Sequence, residues 1–456
     1  MIQEEKNIEI KTDTKTEFSV SFDFKKYAWK QFKKNRVAYF ALKILILLVG
    51  IAIISPVIAT DQPWYCKYKG VSMFPAFSVY NQCQITDKST GIEETIQYDI
   101  ADWKHLDAEN IIFAPISYSS NKTDYDNAGY VSPFAKQLFK NKEGNETNIP
   151  LKFRHWLGTG KAGEDVFSGL VNGTRISLSI GLLSMSIASI LGIVLGAMAG
   201  YFGDNKLKTS RGSFWTFIVG LVFAYYYGFS VRSYFISDAF SISGFEILVQ
   251  LLISLLIFTI VVAIFYWLGK LVGKIPFLTQ QVNIPVDSIV SRLIEIIISM
   301  PLLILIISIS AIAKEKSMVN LMIIIGLTAW TGIARLTRAE FLKVSNMEYI
   351  QAAKSLGINE FRIIFKHALP NAFAPALVAI AFGVASAILI ESSLSFLGIG
   401  VPPSTVTWGS LLNLGREQFS AWWLLAFPGF AIFLTVTVYN LLGEGLRDAF
   451  DPKLKK

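Results

Sequence analysis

The chain has 456 residues, of which 52% are hydrophobic and 17% charged, with a mean hydropathy of +0.46. A soluble domain carries about 25% charged residues, so this balance excludes an ordinary soluble enzyme and indicates a membrane protein, which the span-length apolar runs below make an all-α polytopic one. The formal net charge of +8 sits beside apolar runs, where the positive-inside bias accounts for it without nucleic-acid binding.

Residues 1–23 are polar and predict a disordered tail. Lys25, Lys26, Lys30, Lys33, Lys34 and Arg36 follow, interleaved with Phe24, Tyr27, Trp29 and Phe32. The pattern suits a basic, aromatic helix on the inner membrane face, or a solvated charge run that only orients the chain. A span needs about 20 mainly apolar residues. That length predicts eight spans, at roughly 37–59, 174–201, 213–231, 244–269, 288–312, 319–336, 372–393 and 424–444. The N-terminal basic cluster, Lys206, Lys208 and Arg211, Lys270 and Lys274, and Arg335, Arg338 and Lys343 then fall on one side. The positive-inside rule makes that side cytoplasmic and places both termini there.

The chain divides accordingly into a cytoplasmic tail and basic segment (1–36), a first span (37–59) and one large extracytoplasmic segment (60–165). A core span (166–203), an inserted pair of spans (204–284), a core domain (285–448) containing a cytoplasmic loop at 343–371, and a short cytoplasmic tail (449–456) complete it. The extracytoplasmic segment is rich in Tyr, Asn, Asp and Ser and predicts short strands around Asn110–Tyr118, in a spacer or a recognition domain. It holds both cysteines, Cys66 and Cys83, for which a disulfide and two free thiols are equally open. The three histidines are scattered and give no metal-ligand spacing.

Within the membrane, Gly192, Gly196 and Gly200 recur every fourth residue and predict close helix packing, against a core helix or another subunit. Arg292 and Glu295 are spaced to pair on one helix face. Met300 and Pro301 interrupt the next run, and a kink there would help shape a central pathway. Glu391, beside Ser392, is an intramembrane acid of the kind that faces a cavity or a partner, with a solvated helix end as the plainer reading.

Residues 349–370, YIQAAKSLGINEFRIIFKHALP, predict a helix–glycine–helix elbow between two apolar runs. Ser345 and Glu348 have capping-box spacing, Gly357 can take the left-handed conformation that stops a helix, and Asn359 is a cap for a second helix ending near Pro370. Small exposed side chains at Ala352 and Ala353 would let another protein approach the backbone.

This elbow resembles the EAA loop of bacterial ABC importer permeases: Ala352, Ala353 and Gly357 match, Gln351 stands where many relatives have Glu, and Leu369-Pro370-Asn371 continues the likeness. Two further blocks narrow it to the C-type permease subunit of dipeptide/oligopeptide (and nickel) importers. The first is His155-Trp156-Leu157-Gly158-Thr159 with Gly163-Glu164-Asp165-Val166, leading into Arg175-Ile176-Ser177-Leu178. The second is Glu391-Ser392-Ser393-Leu394-Ser395-Phe396-Leu397-Gly398, with Trp408-Gly409, Trp422-Trp423 and Leu442-Gly443-Glu444-Gly445-Leu446-Arg447-Asp448 beyond it. Departures occur at Trp156, Gly160 and Glu164, where the family usually has Pro, Asp and Arg.

The resemblance implies a type I importer permease fold in a bacterial inner membrane. It also implies a homologous second permease, two ABC ATPase subunits binding ATP and Mg2+, and an extracytoplasmic solute-binding protein. It assigns ATPase coupling to Glu348, Tyr349, Gln351, Ala352, Ala353, Gly357, Phe361, Arg362, His367 and Pro370. The chain itself is then expected to bind no cofactor and to catalyse nothing. Two nucleotide-like strings do not contradict this. Gly158–Gly163 satisfies G-x-G-x-x-G outside any βαβ unit, and Gly269–Lys274 is one residue short of a Walker A loop, with Ile275 where Ser or Thr would hold magnesium. An ion-gradient-driven secondary transporter is the rival reading; it would show inverted repeats and paired intramembrane charges.

Overall fold

A computed structural model of the chain describes residues 24–86, 93–140, 146–242, 244–312 and 317–450. The predicted tails at 1–23 and 451–456 lie outside these residues. Asn35 separates α1 (Phe24–Lys34) from α2 (Arg36–Ile58), and its side chain caps α2 by accepting from the Ala38 amide. Phe32 of α1 is buried with Ala38 and Ala41 and with Val438, Leu442 and Ala449 near the C-terminus. The basic segment is therefore pinned to the bundle.

Residues 60–165 fold as a small cap. Strands β1 (Tyr65–Tyr68) and β2 (Val71–Met73) form one hairpin, β3 (Gln82–Thr86) and β4 (Glu93–Gln97) a second. Strand β5 (Asn110–Ile112) adds to the free edge of β1, and β6 (Leu138–Lys140) pairs with β7 (Glu146–Asn148). The strand predicted over Asn110–Tyr118 stops at Ile112; Ile116 makes only a parallel bridge to Ala59. Cys66 and Cys83 are free thiols, so the disulfide is not formed. They lie on different hairpins and pack as apolar groups in one core with Met73, Ile85 and Trp103. Burial pushes the Cys66 thiol up to about 11, which keeps it protonated and unreactive.

Helix α3 (Val166–Phe202) starts eight residues before the predicted span because Asp165 accepts from the Ser168 amide and caps it there. Beyond it, β8 (Lys208–Ser210) leads into α4 (Arg211–Tyr225), which a π turn extends to Ser230. Helices α5 (Ser233–Ile242) and α6 (Gly244–Val272) return the chain to β9 (Gln281–Asn283). Strand β9 pairs antiparallel with β8, so the two ends of the insertion close on each other.

The span predicted at 288–312 is two helices, α7 (Val286–Ser299) and α8 (Leu302–Ile312), bent by 88° at their junction. Pro301 has no N–H and pushes Met300 into an extended conformation (φ −95, ψ 136), which ends α7. Helix α9 (Met318–Val344) then packs along α3. A Cβ on Gly192 would lie 2.8 Å from Ile333 Cβ; on Gly196, 2.5 Å from the Ala334 carbonyl oxygen; on Gly200 it would run into that of Arg338. The glycine stripe thus serves a contact within this chain, between core helices, rather than one with another subunit.

After the elbow come α10 (Glu348–Ser355), α11 (Glu360–Arg362), α12 (Leu369–Phe396), α13 (Trp408–Glu417) and α14 (Trp423–Phe450). Among the described residues, 7 helices are long and apolar enough to cross a membrane, and the bent α7–α8 pair makes 8. The short helix α13 was not predicted; its signal was Thr407, whose side chain forms a capping box with Ser410.

Replacing Gly196 by Leu is expected to destabilise the purified protein by about 1–3 kcal/mol through overpacking, read as thermal unfolding in detergent. Gly50→Ala, where nothing stands within 4 Å of the added carbon, is expected to stay within about 0.5 kcal/mol of the parent.

Candidate functional site

The elbow begins where α9 ends. Ser345 is the C-cap of that helix, and its hydroxyl donates back to the Leu342 carbonyl. The predicted capping box with Glu348 therefore does not form. Met347 takes the cap position without a side-chain bond, and Gln351 Nε2 ties α10 to the Ser345 carbonyl at 2.9 Å. Glu348 stays exposed in the first turn, where its charge complements the helix dipole.

Gly357 has φ +73. Its amide bonds the Lys354 carbonyl at 2.9 Å and the Ile358 amide bonds that of Ala353 at 3.2 Å. This bond pair closes a helix through a left-handed glycine. Asn359 then accepts from the Phe361 amide and starts the second arm.

That arm does not end near Pro370. Residues Glu360–Phe396 form one continuous helix, carried through a π turn at Ile363–Ala368. The wider turn, immediately ahead of Pro370, accommodates a residue that lacks an N–H and would clash with a regular preceding turn. Arm and membrane helix are one rod.

The inner face of the elbow is buried. Ile350, Ala353, Ile363 and Ile364 pack with Tyr201 of α3 and Phe341 of α9. Ala353 is thus not on the exposed surface, as the sequence had suggested, while Ala352 is. Tyr201 donates its hydroxyl hydrogen to Glu360, and the Lys354 ammonium lies 4.8 Å from the Tyr201 ring centroid. Arg338 on α9 makes a two-pronged ion pair with Asp287, the first-turn acid of α7. These contacts fuse the elbow to the ends of α3 and α9, and the ion pair ties α7 to the same end of α9.

The outer face is apolar. Leu356 is 79% exposed, Phe361 67% and Phe365 49%, and the two phenylalanine rings meet at a tilt with centroids 4.4 Å apart. Tyr349, Gln351 and Arg362 are exposed around them, His367 is half-buried, and Pro370 is exposed at the base. Asn371 joins both arms by donating to the Tyr349 hydroxyl at 3.2 Å.

Further along the rod, α12 borders a cavity of about 640 Å³ at the break between α7 and α8. Met300 and Pro301 line it, with Thr328 and Thr331 from α9 and Phe382 and Ser386 from α12; none of its lining residues is charged. Glu391 and Ser392 do not line it. Glu391 is fully buried, accepting from Ser395 at 2.8 Å and Ser392 at 3.4 Å. It lies where α12 touches α13 so closely that a Cβ on Gly409 would come 2.7 Å from the Ser392 backbone. Arg292 and Glu295 pair at 2.7 Å on the exposed face of α7, away from this cavity.

Residues 275–456 match the model of the binding-protein-dependent transport system inner membrane component family, and residues 24–69 that of the N-terminal membrane domain of oligopeptide transport permease C. The dipeptide transport permease DppC of Alkalihalophilus pseudofirmus is 30% identical over 302 residues, 66% of this chain and 73% of that protein. The chain belongs to this family of ABC importer permeases. The inner membrane ABC transporter permease YejE of Escherichia coli is 28% identical over 93% of this chain and 96% of its own length. The YejE protein of Agrobacterium fabrum, a peptidoglycan transport system permease, is 28% identical over 94% of this chain. This family membership does not favour a secondary transporter.

In the permease, the block around His155 is a buried joint rather than a loop. His155 is fully buried; Nδ1 lies 2.8 Å from Asp165, the cap of α3, and Nε2 lies 3.2 Å from Asp124 in the cap. Tyr118 stacks on the imidazole at 4.1 Å and its hydroxyl donates to Asp124. Burial opposes a charge on His155, but its bonds to Asp124 and Asp165 outweigh that and raise its pKa above the usual imidazole value. Burial likewise resists ionisation of Asp124, yet His155 and Lys104 hold its carboxyl well below the ordinary range. Glu164 folds its carboxylate over Gly160 and accepts from the Ala162 amide at 2.9 Å, so both unusual residues serve one turn. The family motif drew attention to this block, but nothing in the sequence named Asp124 or Tyr118 as partners, because they lie some thirty positions away.

A raised histidine pKa contributes stability below about pH 6.5, the ordinary value, and that contribution is lost as pH rises through the raised value. Thermal stability of the purified permease is therefore expected to fall from neutral to mildly alkaline pH. His155→Gln is expected to reduce that slope, leaving the smaller part due to His105, whose bonds to the Lys140 carbonyl and Asp102 also raise its pKa; parallel unfolding curves across pH would test this.

Proposed function

We propose that this chain forms half of the translocation pathway of an ATP-driven importer for peptides or peptide-containing solutes. The elbow takes its drive from a cytoplasmic ATPase. The observation that carries this reading is the unbroken helix Glu360–Phe396. One end bears the exposed Phe361 and Phe365, and residues of the other, Phe382 and Ser386, border the cavity. From Phe365 to Phe382 the rise along a helix is about 25 Å. A push on the aromatic pair therefore moves the cavity wall with little loss in bending.

In this mechanism two ATPase subunits bind ATP and Mg2+ and close. One of them grips Leu356, Phe361 and Phe365, and Ala352 permits backbone approach beside Gln351. Glu348, Tyr349 and Arg362 rim the contact. Ala353 and Ile350 pass the motion inward to α3 and α9, while His367 and Pro370 sit at the root of the rod. A homologous second permease supplies the other wall of the pathway, and a solute-binding protein delivers cargo on the opposite face. The elbow and both termini are cytoplasmic in this arrangement, in keeping with the basic residues around them. The chain holds no nucleotide or other cofactor itself.

The peptide assignment draws on relatives named for dipeptide, di/tripeptide and glutathione transport. The uncharged cavity lining suits passage of varied side chains better than selection among them, which falls to the binding protein.

Gly357→Val tests the coupling role. Nothing within 4 Å obstructs a side chain there, so the cost is conformational: about 1–2 kcal/mol for a β-branched residue at φ +73. Uptake is expected to fall at least tenfold while the protein still inserts; near-normal uptake at equal membrane abundance would refute the coupling role. The purified chain alone is expected to hydrolyse no ATP, and robust turnover without other subunits would overturn the assignment.

A further inference from the structure

We propose that the loop Phe74–Tyr80 of the cap seats in the lipid interface, holding the cap down on the bilayer beside α2. This inference rests on the multi-pass placement of the chain and is independent of what is transported.

The chain path delivers the loop to that level. Strand β1 leaves the end of α2 within a few residues, the hairpin turns at Lys69 and Gly70, and β2 runs back antiparallel with Cys66 opposite Met73. Continuing that register puts Phe74 beside Tyr65, and their rings lie 5.4 Å apart. The Ala76 amide then bonds the Pro63 carbonyl at 3.1 Å. Trp64 donates its indole N–H to the Val57 carbonyl in the last turn of α2 at 2.7 Å, and the Phe77 ring lies 6.3 Å from the Trp64 ring. Phe77 is therefore one ring away from the end of a membrane helix.

The exposed chemistry suits lipid. Phe74 is 56% exposed, Phe77 57%, Val79 93% and Tyr80 78%. Residues 70–86 contain no Asp, Glu, Lys or Arg. At the other end of the sheet Lys69 pairs with Glu94 and Lys67 with Glu109. The β1–β2 hairpin is therefore polarised, with its own ion pairs at the turn and bare aromatic groups at the end next to α2.

Val57, to which Trp64 is bonded, lies one turn beyond Ile53 and Ile54, so the loop adjoins the face of α2 on which Leu47, Ile53 and Ile54 are exposed. That adjacency selects lipid over a protein partner as its occupant. Aromatic side chains at a membrane boundary bury an apolar body at the level where polar tips remain wet. The exposed Tyr80 side chain has that character.

The test is lipid photolabelling of the whole chain in phosphatidylcholine vesicles whose acyl chains carry a diazirine, with adducts mapped by mass spectrometry. Adducts on residues 70–86 are expected within about threefold of those on residues 46–54 of α2, as for an interfacial segment. Val79→Asp, and separately Phe77→Asp with Val79→Asp, are expected to cut the loop adducts about fivefold or more and leave those on α2 unchanged. Wild-type vesicles that label α2 but not the loop would overturn the proposal. Shielding of the loop from a water-soluble radical label only once a solute-binding protein is added would overturn it too, in favour of a protein partner. If the double variant fails to insert, the wild-type result and Val79→Asp still decide the matter.

Discussion

The contact between α3 and α9 is the constraint on which the rest of the permease depends. In lipid, apolar side chains gain little by leaving the solvent, so helices associate through packing and close backbone approach. Glycines at 192, 196 and 200 let α3 lie directly on the carbonyl ridge of α9, and Gly326 answers from the other helix, where a Cβ would come 2.8 Å from the Ser184 carbonyl oxygen. Once these two rods are locked, their ends are fixed relative to each other. Tyr201 and Phe341, both buried at that end, become a floor on which the elbow can be built. The Arg338–Asp287 pair uses the same floor to hold α7. The elbow is stiff because it is bolted to a helix pair that cannot slide.

Stiffness at one end and looseness at the other follow from the placement of proline. Pro370 lies within a helix that absorbs it through a π turn and continues, whereas Pro301 ends one helix and redirects the chain by 88°. The difference is local. Ahead of Pro370 the backbone widens and stays helical; ahead of Pro301, Met300 is extended. The first arrangement gives a rod that carries force, the second an opening beside which a cavity of about 640 Å³ forms.

Much of this was legible in the sequence, because apolar length and charge asymmetry act over short ranges. All eight predicted runs are helical; one is broken at the residue pair that signalled an interruption. Gly357 and Asn359 do what their intrinsic conformational preferences dictate. What was not legible depended on partners distant in sequence. Ala353 looked like an exposed small residue, but α10 rotates it inward because Ile350 and Ile363 compete for the same buried face. Ser345 looked like a cap, but α9 runs far enough to claim it as a terminus. Glu391 read as an acid facing a cavity or partner, or more plainly as a solvated helix end, yet it is fully buried where α12 meets α13, a helix too short for a span search. Cys66 and Cys83 offered no signal of strand assignment, and it is strand assignment that separates them.

The additions to the core share one design. The inserted helices enter through β8 and leave through β9, paired from Lys208–Asn283 to Ser210–Gln281, so the core sees only a closed ribbon. The cap is likewise held at its two ends, by the Ala59–Ile116 bridge at the exit of α2 and by His155 and Asp165 at the entry to α3. An appendage whose ends meet adds little strain to what it joins, and an even number of added spans leaves the sidedness of later helices unchanged. The full-length match to the two YejE proteins, against about two thirds of this chain for DppC, fits a core common to all and additions held in common with the former. The cap end differs from the inserted pair in one respect: its hinge passes through a buried histidine between two carboxylates. The cap residue of α3 is therefore bonded to a titratable group, whereas Gly192, Gly196 and Gly200 meet only backbone and apolar side-chain atoms or the carbon of a threonine.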